Sequence, residues 1–273
     1  MANERCWGIE GAWNYGRELA QHMVANGEEE YEVNPRWTAA SRHRSRRRGK
    51  NGRLDAGAVA SLVRQEGCCL PRVTADDESA VLDLLVTERE ATLAEATRLR
   101  NQIHQLLLQV DPEYRLHVPN LQSQAGLAAL ESYAVSRSDV LQQQRVAAIH
   151  RLAQRLRLAV DQIKELTRQI HLHAEPRFHP LTQICGANLL TAGALAGILG
   201  PGRRFATEAQ LAAYAGVAPL EASSAALVRH RLNRGGNRHL NAILYRIAVT
   251  QAHYSPKVRR YLERRQTEGK TLR

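Results

Sequence analysis

Cysteines and aromatic residues are scarce in this chain, and their scarcity disfavours several kinds of site. The aromatic fraction is 5%, and the four cysteines, Cys6, Cys68, Cys69 and Cys185, show no CxxC spacing and no nearby histidine pair. A zinc centre is therefore disfavoured, and we expect buried or unreactive thiols in a reducing compartment.

Long apolar segments are missing as well. The chain contains no run of about eighteen apolar residues, so the sequence predicts no membrane span. The N-terminal stretch MANERCWGIEGAW lacks the apolar core of a signal peptide, which favours a cytoplasmic protein. Alanine, leucine, glutamine and arginine dominate the composition, and these helix formers predict a mainly helical molecule.

The positive charge is concentrated towards the C-terminus. Residues 201–273 carry 14 lysines and arginines against four aspartates and glutamates, whereas the whole chain has a net charge of +11. A nearly neutral body joined to a basic C-terminal part indicates a polyanionic partner, most simply nucleic acid. The alternative is a basic protein without such a partner.

The N-terminal segment predicts a strand, a helix and a second strand. Residues 5–9 (RCWGI) form a short apolar run that ends at Glu10, residues 17–27 are amphipathic and stop at Gly27, and residues 31–33 are followed by Asn-Pro. Such a unit favours parallel strands with a helix packed across them. Two strands make a poor sheet, so we expect this domain to be incomplete at its N-terminus.

A cluster of basic residues precedes the first aspartate of the chain, Asp55. The basic residues are Arg42, Arg44, Arg46, Arg47, Arg48, Lys50 and Arg53. Asp55 opens a predicted helix that has Val59, Leu62 and Val63 on one face. The cluster is typical of a loop that follows a phosphate backbone, and the alternative is a disordered loop with Asp55 as a helix N-cap.

Two long helices are predicted in the middle of the chain. Apolar residues recur at a spacing of four and three residues at Leu99, Ile103, Leu106 and Val110, and again between Ile149 and Ile170, with a break at Asp111-Pro112. The pair fits an antiparallel hairpin, an intermolecular coiled coil or a layer of an ordinary bundle. The histidine-containing stretch 171–180 has the composition of a linker, without the companion ligands of a metal site.

The C-terminal part contains two candidate phosphate contacts. Two helices around Gly186-Ala187-Asn188 would form a helix–hairpin–helix, with Asn188 at the left-handed position, or a tight turn in a core. In the stretch 231–246, RLNRGGNRHLNAILYR, two glycines permit a close backbone approach. The arginines that could clamp phosphates here are Arg229, Arg231, Arg234 and Arg238.

Two carboxylates and a serine are candidates for catalytic chemistry. Glu10 would lie at the end of a strand and Asp55 at the start of a helix, and carboxylates from different elements can share Mg²⁺ ions in phosphoryl transfer. Ser223 and Ser224 lie in a polar stretch before the basic run 229–231. Each residue has an ordinary alternative, a surface charge, a helix cap or a loop serine.

Several stretches together resemble the DEDD-type insertion-sequence transposases of the insertion sequence one-ten family, whose relatives include bridge-RNA-guided recombinases and pilin-gene invertases. The matching stretches are GIEGAWNYG, YEVNP, KNGRLDAGAVA, LTQICGANLLTAGALAGILG, FATEAQLAAYAGVAP and LNRGGNRHLNAILY. They occur in the order of the family and cover both ends of the chain.

The resemblance implies a mainly α protein with a small α/β part. It implies a partial RuvC-like (RNase H-like) domain in residues 1–75, a helical coiled-coil connector in 76–172, a linker in 173–180 and a C-terminal transposase domain in 181–273. It also implies a site of four carboxylates with Mg²⁺ and a serine that attacks DNA. The glutamate falls on Glu10, the aspartate pair on Gly52 and Asp55, and the serine on Ser224.

The chain departs from the family pattern in two of the four carboxylates. Gly52 replaces one aspartate, and no aspartate precedes Glu10, so we expect a shortened N-terminus and impaired metal binding. The sequence thus favours a DNA-binding transposase with weakened strand exchange, a homo-oligomer that also binds structured RNA. The alternatives are a catalytically dead nucleic-acid-binding relic and a helical scaffold without a polyanionic partner.

Overall fold

A computed structural model describes residues 5–13, 15–35, 38, 52–135, 139–200, 202, 205–223, 229–233 and 235–269. These residues are mainly helical, with two small sheets, as the composition predicts. The chain divides into two compact units, one formed by Met1–Ala80 with Pro180–Arg273 and the other by Val81–His179. Residues of the predicted N-terminal and C-terminal domains therefore share one unit, and the boundaries of the functional domains stay predictions.

The predicted strand–helix–strand segment is confirmed. Strand β1 (Cys6–Glu10), helix α1 (Arg17–Ala25) and strand β2 (Glu29–Val33) follow one another, and the two strands are parallel, with Glu10 opposite Val33. Helix α1 ends before Gly27, whose φ of +76° lies in the left-handed region that glycine adopts without strain. Both strands therefore end at the same edge of the sheet.

Helix α2 (Gly52–Glu66) covers one face of this sheet and is followed by a 3₁₀ turn at Gly67–Cys69. Val59 and Val63 are buried in it, as the apolar spacing predicts. The helix begins three residues before Asp55, so Asp55 lies within the first turn. The alternative in which Asp55 is the N-cap is therefore wrong. The helix already begins at Gly52, and glycine is a poor helix former, so the sequence did not indicate this earlier start.

The other face of the sheet packs against α1. Ile9, Ala12, Ala20 and Val73 form a small core there. Glu30 in β2 is only 2% exposed, and neither of its carboxylate oxygens has a hydrogen-bond partner among the described residues. Desolvation, followed by repulsion from Glu28, raises the pKa of Glu30. Burial of Glu30 therefore lowers the free energy of unfolding as the pH rises above the ordinary pKa of a glutamate.

The second unit contains the long helices α3 (Glu78–Val110) and α5 (Val140–Phe178), with the short helix α4 (Gln124–Glu131) between them in the chain. Its core combines Leu99, Ile103 and Leu107 with Ile149 and Leu156, so the two long helices pack within one chain. The polar pairs Glu88–Gln162 and Glu95–Arg155, at 2.7 and 3.1 Å, run in opposite directions along the sequence. The helices thus form the antiparallel hairpin that the sequence offered as one alternative.

The segment predicted as a linker, residues 173–180, is largely helical. Helix α5 continues to Phe178, with Pro176 inside it, and a 3₁₀ turn follows at His179–Gln183. Ile170 and Ala174 are fully buried, so packing keeps this end helical although a proline removes one backbone hydrogen bond. The composition predicted a linker because the segment is rich in histidine, but these histidines lie on the exposed side of a helix whose other side is buried.

The C-terminal part contains α6 (Leu189–Leu199), α7 (Glu208–Tyr214), a hairpin of β3 (Leu220–Glu221) and β4 (His230–Arg231), α8 (Arg238–Tyr254) and α9 (Pro256–Thr267). The helix–hairpin–helix prediction is wrong in detail, because only a 3₁₀ turn directly precedes the bend. Gly186, with φ +93°, takes the left-handed position, and Asn188 is extended and caps α6 by accepting from the Thr191 N–H at 2.9 Å. Glycine takes this place because it alone lacks a Cβ.

A third core joins α6, the end of α7 and α8. Its buried residues are Leu195, Ile198, Ala215, Leu240, Ile243 and Ile247. Helix α8 contributes Leu240, Ile243 and Ile247. These residues define its buried side, and the opposite side of α8 faces away from the core. Within the part of the chain that the structure describes, no helix is both long and apolar enough to cross a membrane.

Candidate nucleic-acid interface

Glu10 is the last residue of β1, at the edge where both parallel strands end. Its carboxylate is half-buried, and the hydroxyl of Thr38 lies 3.0 Å from Glu10 Oε1 and 2.9 Å from the Pro35 carbonyl oxygen. Thr38 is fully buried. The segment that follows β2 therefore holds the Glu10 side chain at the edge where open α/β sheets place ligand-binding groups.

Asp55 lies on the side of α2 that faces the sheet. A Cβ built on Gly8 would come within 2.4 Å of Val63 and 2.7 Å of Val59, so α2 rests directly on β1 at this glycine. Asp55 precedes Val59 by one helical turn, and Glu10 follows Gly8 by two strand residues. Both carboxylates thus belong to the faces through which α2 and β1 meet.

Gly52 stands one helical turn before Asp55, where the resemblance implies another aspartate. It is exposed, and a Cβ built there would have no heavy atom within 4 Å. Across the described ranges, no group of three or more histidine, cysteine, aspartate or glutamate side chains is arranged to hold a metal ion. Glu10 and Asp55 by themselves therefore do not complete a metal site.

The second part of the candidate site is the junction of α7 and α8. Gly216 has a φ of +71°, and a Cβ built on Gly236 would lie 2.2 Å from the Gly216 nitrogen. The two backbones are therefore in direct contact, which only glycine permits. The Asn237 N–H donates to the Tyr214 carbonyl at 2.7 Å and joins the end of α7 to the start of α8.

Three asparagines hold this junction. Asn233 Nδ2 donates to the Ala213 carbonyl at 3.3 Å, and Asn241 Nδ2 donates to the Ala215 carbonyl at 3.1 Å. Asn237 caps α8 by accepting from the Leu240 N–H at 3.0 Å. The last turn of α7 is thereby fixed against the first turn of α8 by side chains that all come from the stretch LNRGGNRHLN.

A cavity of about 310 Å³ opens at this junction. It is lined by Ala215, Gly216, Leu232, Asn233, Gly236, Arg238 and Asn241. Arg238 is exposed and lies at the first position of α8, beside two glycines whose backbone forms part of the wall. A guanidinium, amide groups and accessible backbone in one concave surface suit the binding of a phosphate.

The hairpin next to the junction carries further predicted residues. Arg229, directly before β4, and Arg231, within it, are both exposed. The Ser223 hydroxyl accepts from the Arg229 N–H at 3.2 Å, so it takes part in the hairpin itself. Ser224 lies outside the described residues, as do Arg234 and the basic cluster from Arg42 to Lys50, whereas Arg53 is exposed in the first turn of α2.

A hydrogen bond connects the two parts of the candidate site. Asn34, which directly follows β2, donates from Nδ2 to the Gly235 carbonyl oxygen at 3.4 Å. Val33, the preceding residue, is opposite Glu10 in the sheet. The glycine-containing loop before α8 therefore lies at the edge of the sheet where Glu10 is found, although 201 residues separate Asn34 from Gly235.

Sequence reasoning missed several residues of this site. Thr38, Asn34, Asn233 and Asn241 were not candidates, because a threonine or asparagine alone carries no specific chemical signal. The spacing of Asn233, Asn237 and Asn241 by four residues was the one available indication, since it places amides at regular intervals around two glycines.

Comparisons with known proteins agree with these observations. Residues 2–112 match a family model of DEDD-type IS110 transposases, and residues 179–263 match a model described as the transposase IS116/IS110/IS902 family. The chain is also 30% identical over 265 residues to the insertion element IS110 uncharacterized 43.6 kDa protein of Streptomyces coelicolor. That alignment covers 81% of this chain and 65% of the relative, so the chain spans slightly less than two thirds of the relative's length.

The two matches correspond to the two parts of the site. The first model covers β1 to α3, including Glu10 and Asp55, and the second covers α6 to α8 and most of α9, including the glycine-containing junction. Both matched models describe transposases. The chain belongs to the IS110 family of transposases.

Proposed function

We propose that this chain binds DNA and carries out cleavage and exchange of DNA strands as the transposase of an insertion sequence, with reduced efficiency. The observation that carries the proposal is the hydrogen bond of 3.4 Å between Asn34 and Gly235. Because of it, the edge that holds Glu10 and the junction that holds Arg238 belong to one surface. A DNA backbone bound at Arg238 would pass beside the carboxylate edge.

In the proposed reaction, the Ser224 hydroxyl attacks a phosphorus atom of DNA. The serine oxygen forms a phosphoester bond, the bond to one DNA oxygen breaks, and that DNA end leaves as a hydroxyl after taking a proton. The phosphoester bond is conserved, so a second DNA hydroxyl can reverse the step and complete an exchange. Ser224 is favoured over Ser223, whose hydroxyl accepts from the Arg229 N–H within the hairpin.

The basic residues would hold the substrate. Among the described residues, Arg53, Arg229, Arg231 and Arg238 are exposed and can contact phosphates. Arg42, Arg44, Arg46, Arg47, Arg48, Lys50 and Arg234 are proposed to extend this contact. Such contacts position the nucleic acid and carry no base preference by themselves.

Membership of a DEDD-type family suggests dependence on a divalent metal, for which we propose Mg²⁺. Such an ion would stabilise the negative charge that develops on phosphate oxygens. Glu10 and Asp55 are the carboxylates available to it, and Gly52 supplies none. We therefore propose that Mg²⁺ binding is weakened and that strand exchange is slow.

The second candidate function is nucleic-acid binding without catalysis. The glycine at position 52, in an open and exposed place where a carboxylate would fit, favours it specifically. Calorimetric titration of Mg²⁺ separates the two functions. An impaired transposase should show weak binding that Asp55→Ala abolishes, whereas a relic should show no dependence on Asp55.

The remaining proposals concern partners. We propose a RuvC-like character for the N-terminal part, a coiled-coil role for the α3–α5 hairpin in a dimer or tetramer, a guide-type structured RNA as a second nucleic-acid partner, and a cytoplasmic location. Sequence resemblance supports each of them. The antiparallel packing of α3 and α5 is compatible with a hairpin that presents its outer faces to another copy.

Replacing Ser224 with alanine tests the proposed chemistry. In a plasmid assay with the two ends of the encoding element, a target site and Mg²⁺, we expect Ser224→Ala to reduce recombination at least about a hundredfold, because no hydroxyl remains to form the phosphoester. Ser223→Ala is the matched control and should keep most of the activity. Equal recombination by wild type and Ser224→Ala would remove Ser224 from this role.

A further inference from the structure

Helix α8 presents an exposed aromatic ring close to the cavity at the α7–α8 junction. Tyr245 is 69% exposed, although it lies in the middle of a helix that supplies three residues to the core. Leu240, Ile243 and Ile247 mark the buried side of α8. Tyr245 projects from the opposite side, in a chain with an aromatic content of 5%.

Tyr245 shares a face of α8 with two residues that line the cavity. Asn241 is one helical turn before it, and Arg238 is two turns before it. Side chains four residues apart on a helix are neighbours, at roughly 6 Å between their Cβ atoms. Arg238 lies roughly 10 Å from Tyr245 along the helix axis, a span that the arginine side chain and one extended nucleotide together can bridge. Arg246, the next residue, is also exposed.

We infer that Tyr245 stacks on an unpaired base of a nucleic-acid strand whose phosphate occupies the cavity beside Arg238. The inference rests on the proposed function and adds the class of substrate, which is single-stranded nucleic acid. Base stacking on an exposed aromatic ring tolerates any sequence, because every base has a flat face. In paired DNA the base faces are covered by their neighbours, so the ring selects strands that are open at this point.

The cavity provides the fixed point from which the base reaches Tyr245. Its wall is held by the hydrogen bonds of Asn233 and Asn241 to the end of α7 and by the contact between Gly216 and Gly236. A phosphate placed there has one defined position relative to the next turns of α8. The alternative, an aromatic ring exposed by chance, predicts no relation between base and phosphate binding.

Fluorescence anisotropy with two single-stranded oligomers of equal length tests the inference. One oligomer is oligothymidine and the other is abasic, with the same phosphates and no bases. We expect wild type to bind oligothymidine about tenfold more tightly. Tyr245→Ala should remove this difference, whereas Tyr245→Phe should retain it because the ring remains.

Tyr254→Ala is the matched control. Tyr254 is 75% exposed, ends the same helix and lies on the opposite side from Tyr245, so its removal should leave the preference unchanged. A parallel measurement with oligouridine and abasic RNA identifies whether DNA or RNA shows the dependence on Tyr245.

Three outcomes would overturn the inference. If wild type binds both oligomers equally with a strong dependence on salt, phosphate binding stands and the stacking inference fails. A preference that survives Tyr245→Ala also contradicts it. If wild type binds neither these oligomers nor duplex DNA, the proposed function fails together with the inference.

Discussion

Replacing Gly236 with alanine is expected to disrupt the α7–α8 junction and to abolish tight binding of DNA. The new Cβ would lie 2.2 Å from the Gly216 nitrogen, 2.3 Å from its Cα and 2.7 Å from the Ala215 carbonyl carbon. These are backbone atoms, and the Asn237 N–H bond to Tyr214, at 2.7 Å, holds the two segments together. Relief of the clash must therefore move the start of α8 away from α7.

We expect a loss of about 3 kcal/mol, at the upper end of the range for overpacking, because neither side of the contact can yield without breaking hydrogen bonds. Thermal unfolding followed by circular dichroism measures the stability, and anisotropy with a fluorescent duplex measures the binding. Gly57→Ala is the control, since a Cβ there has no heavy atom within 4 Å. In the helix α2 it should stabilise by up to about 1 kcal/mol. Unchanged stability and DNA binding in Gly236→Ala would refute the described contact.

Replacing Gly52 with aspartate is expected to strengthen Mg²⁺ binding about tenfold, which corresponds to about 1.4 kcal/mol. The new carboxylate would stand three residues before Asp55 on the same side of α2, and the site has space for it. A third hard oxygen ligand adds attraction for a divalent ion. Calorimetric titration of Mg²⁺ measures the change, and the recombination assay shows whether strand exchange increases with it.

Gly57→Asp separates a specific ligand from a general gain of negative charge. Gly57 is in the same helix, is exposed and also has space for a side chain, but it follows Asp55 by two residues and projects from a different side. Its aspartate should leave the affinity for Mg²⁺ unchanged. The double variant Gly52→Asp, Asp55→Ala should lose the gain. Equal effects at positions 52 and 57 would show that the two carboxylates do not share an ion.

The N-terminal elements could be predicted because their signals are local. The apolar run before Glu10, the glycine after α1 and the Asn-Pro after β2 each mark a boundary within a few residues. The direction of the strands followed from the helix between them. Helix α2 was also predicted, although its start was placed at Asp55 because a carboxylate resembles a cap and Gly52 does not resemble a helical residue.

Predictions failed where tertiary packing or backbone geometry decides. The segment 173–178 is helical because Ala174 is buried, and burial cannot be read from a stretch rich in histidine and proline. At the bend before α6, glycine and asparagine both suit a left-handed residue. The structure gives that place to Gly186 and uses the Asn188 side chain as a cap.

The candidate site was predictable in its charged residues and in the glycine pair before α8. A carboxylate or an arginine indicates possible chemistry wherever it occurs. The resemblance to a family then assigned roles to Glu10 and Asp55. The hydrogen bond from Asn34 to Gly235 joins segments 201 residues apart, and no local pattern announces it. The same is true of Thr38 beside Glu10, whose role depends on where the chain after β2 turns.

The salt dependence of DNA affinity tests most directly whether the basic C-terminal part binds a sugar–phosphate backbone. The measurement is the dissociation constant of a fluorescent duplex at rising KCl concentration, for wild type and for Arg238→Gln. We predict that the logarithm of the affinity falls linearly with the logarithm of the salt concentration, and that Arg238→Gln lowers the slope by about one. An affinity that stays constant between about 50 and 200 mM KCl would contradict phosphate binding, because such binding must release counterions.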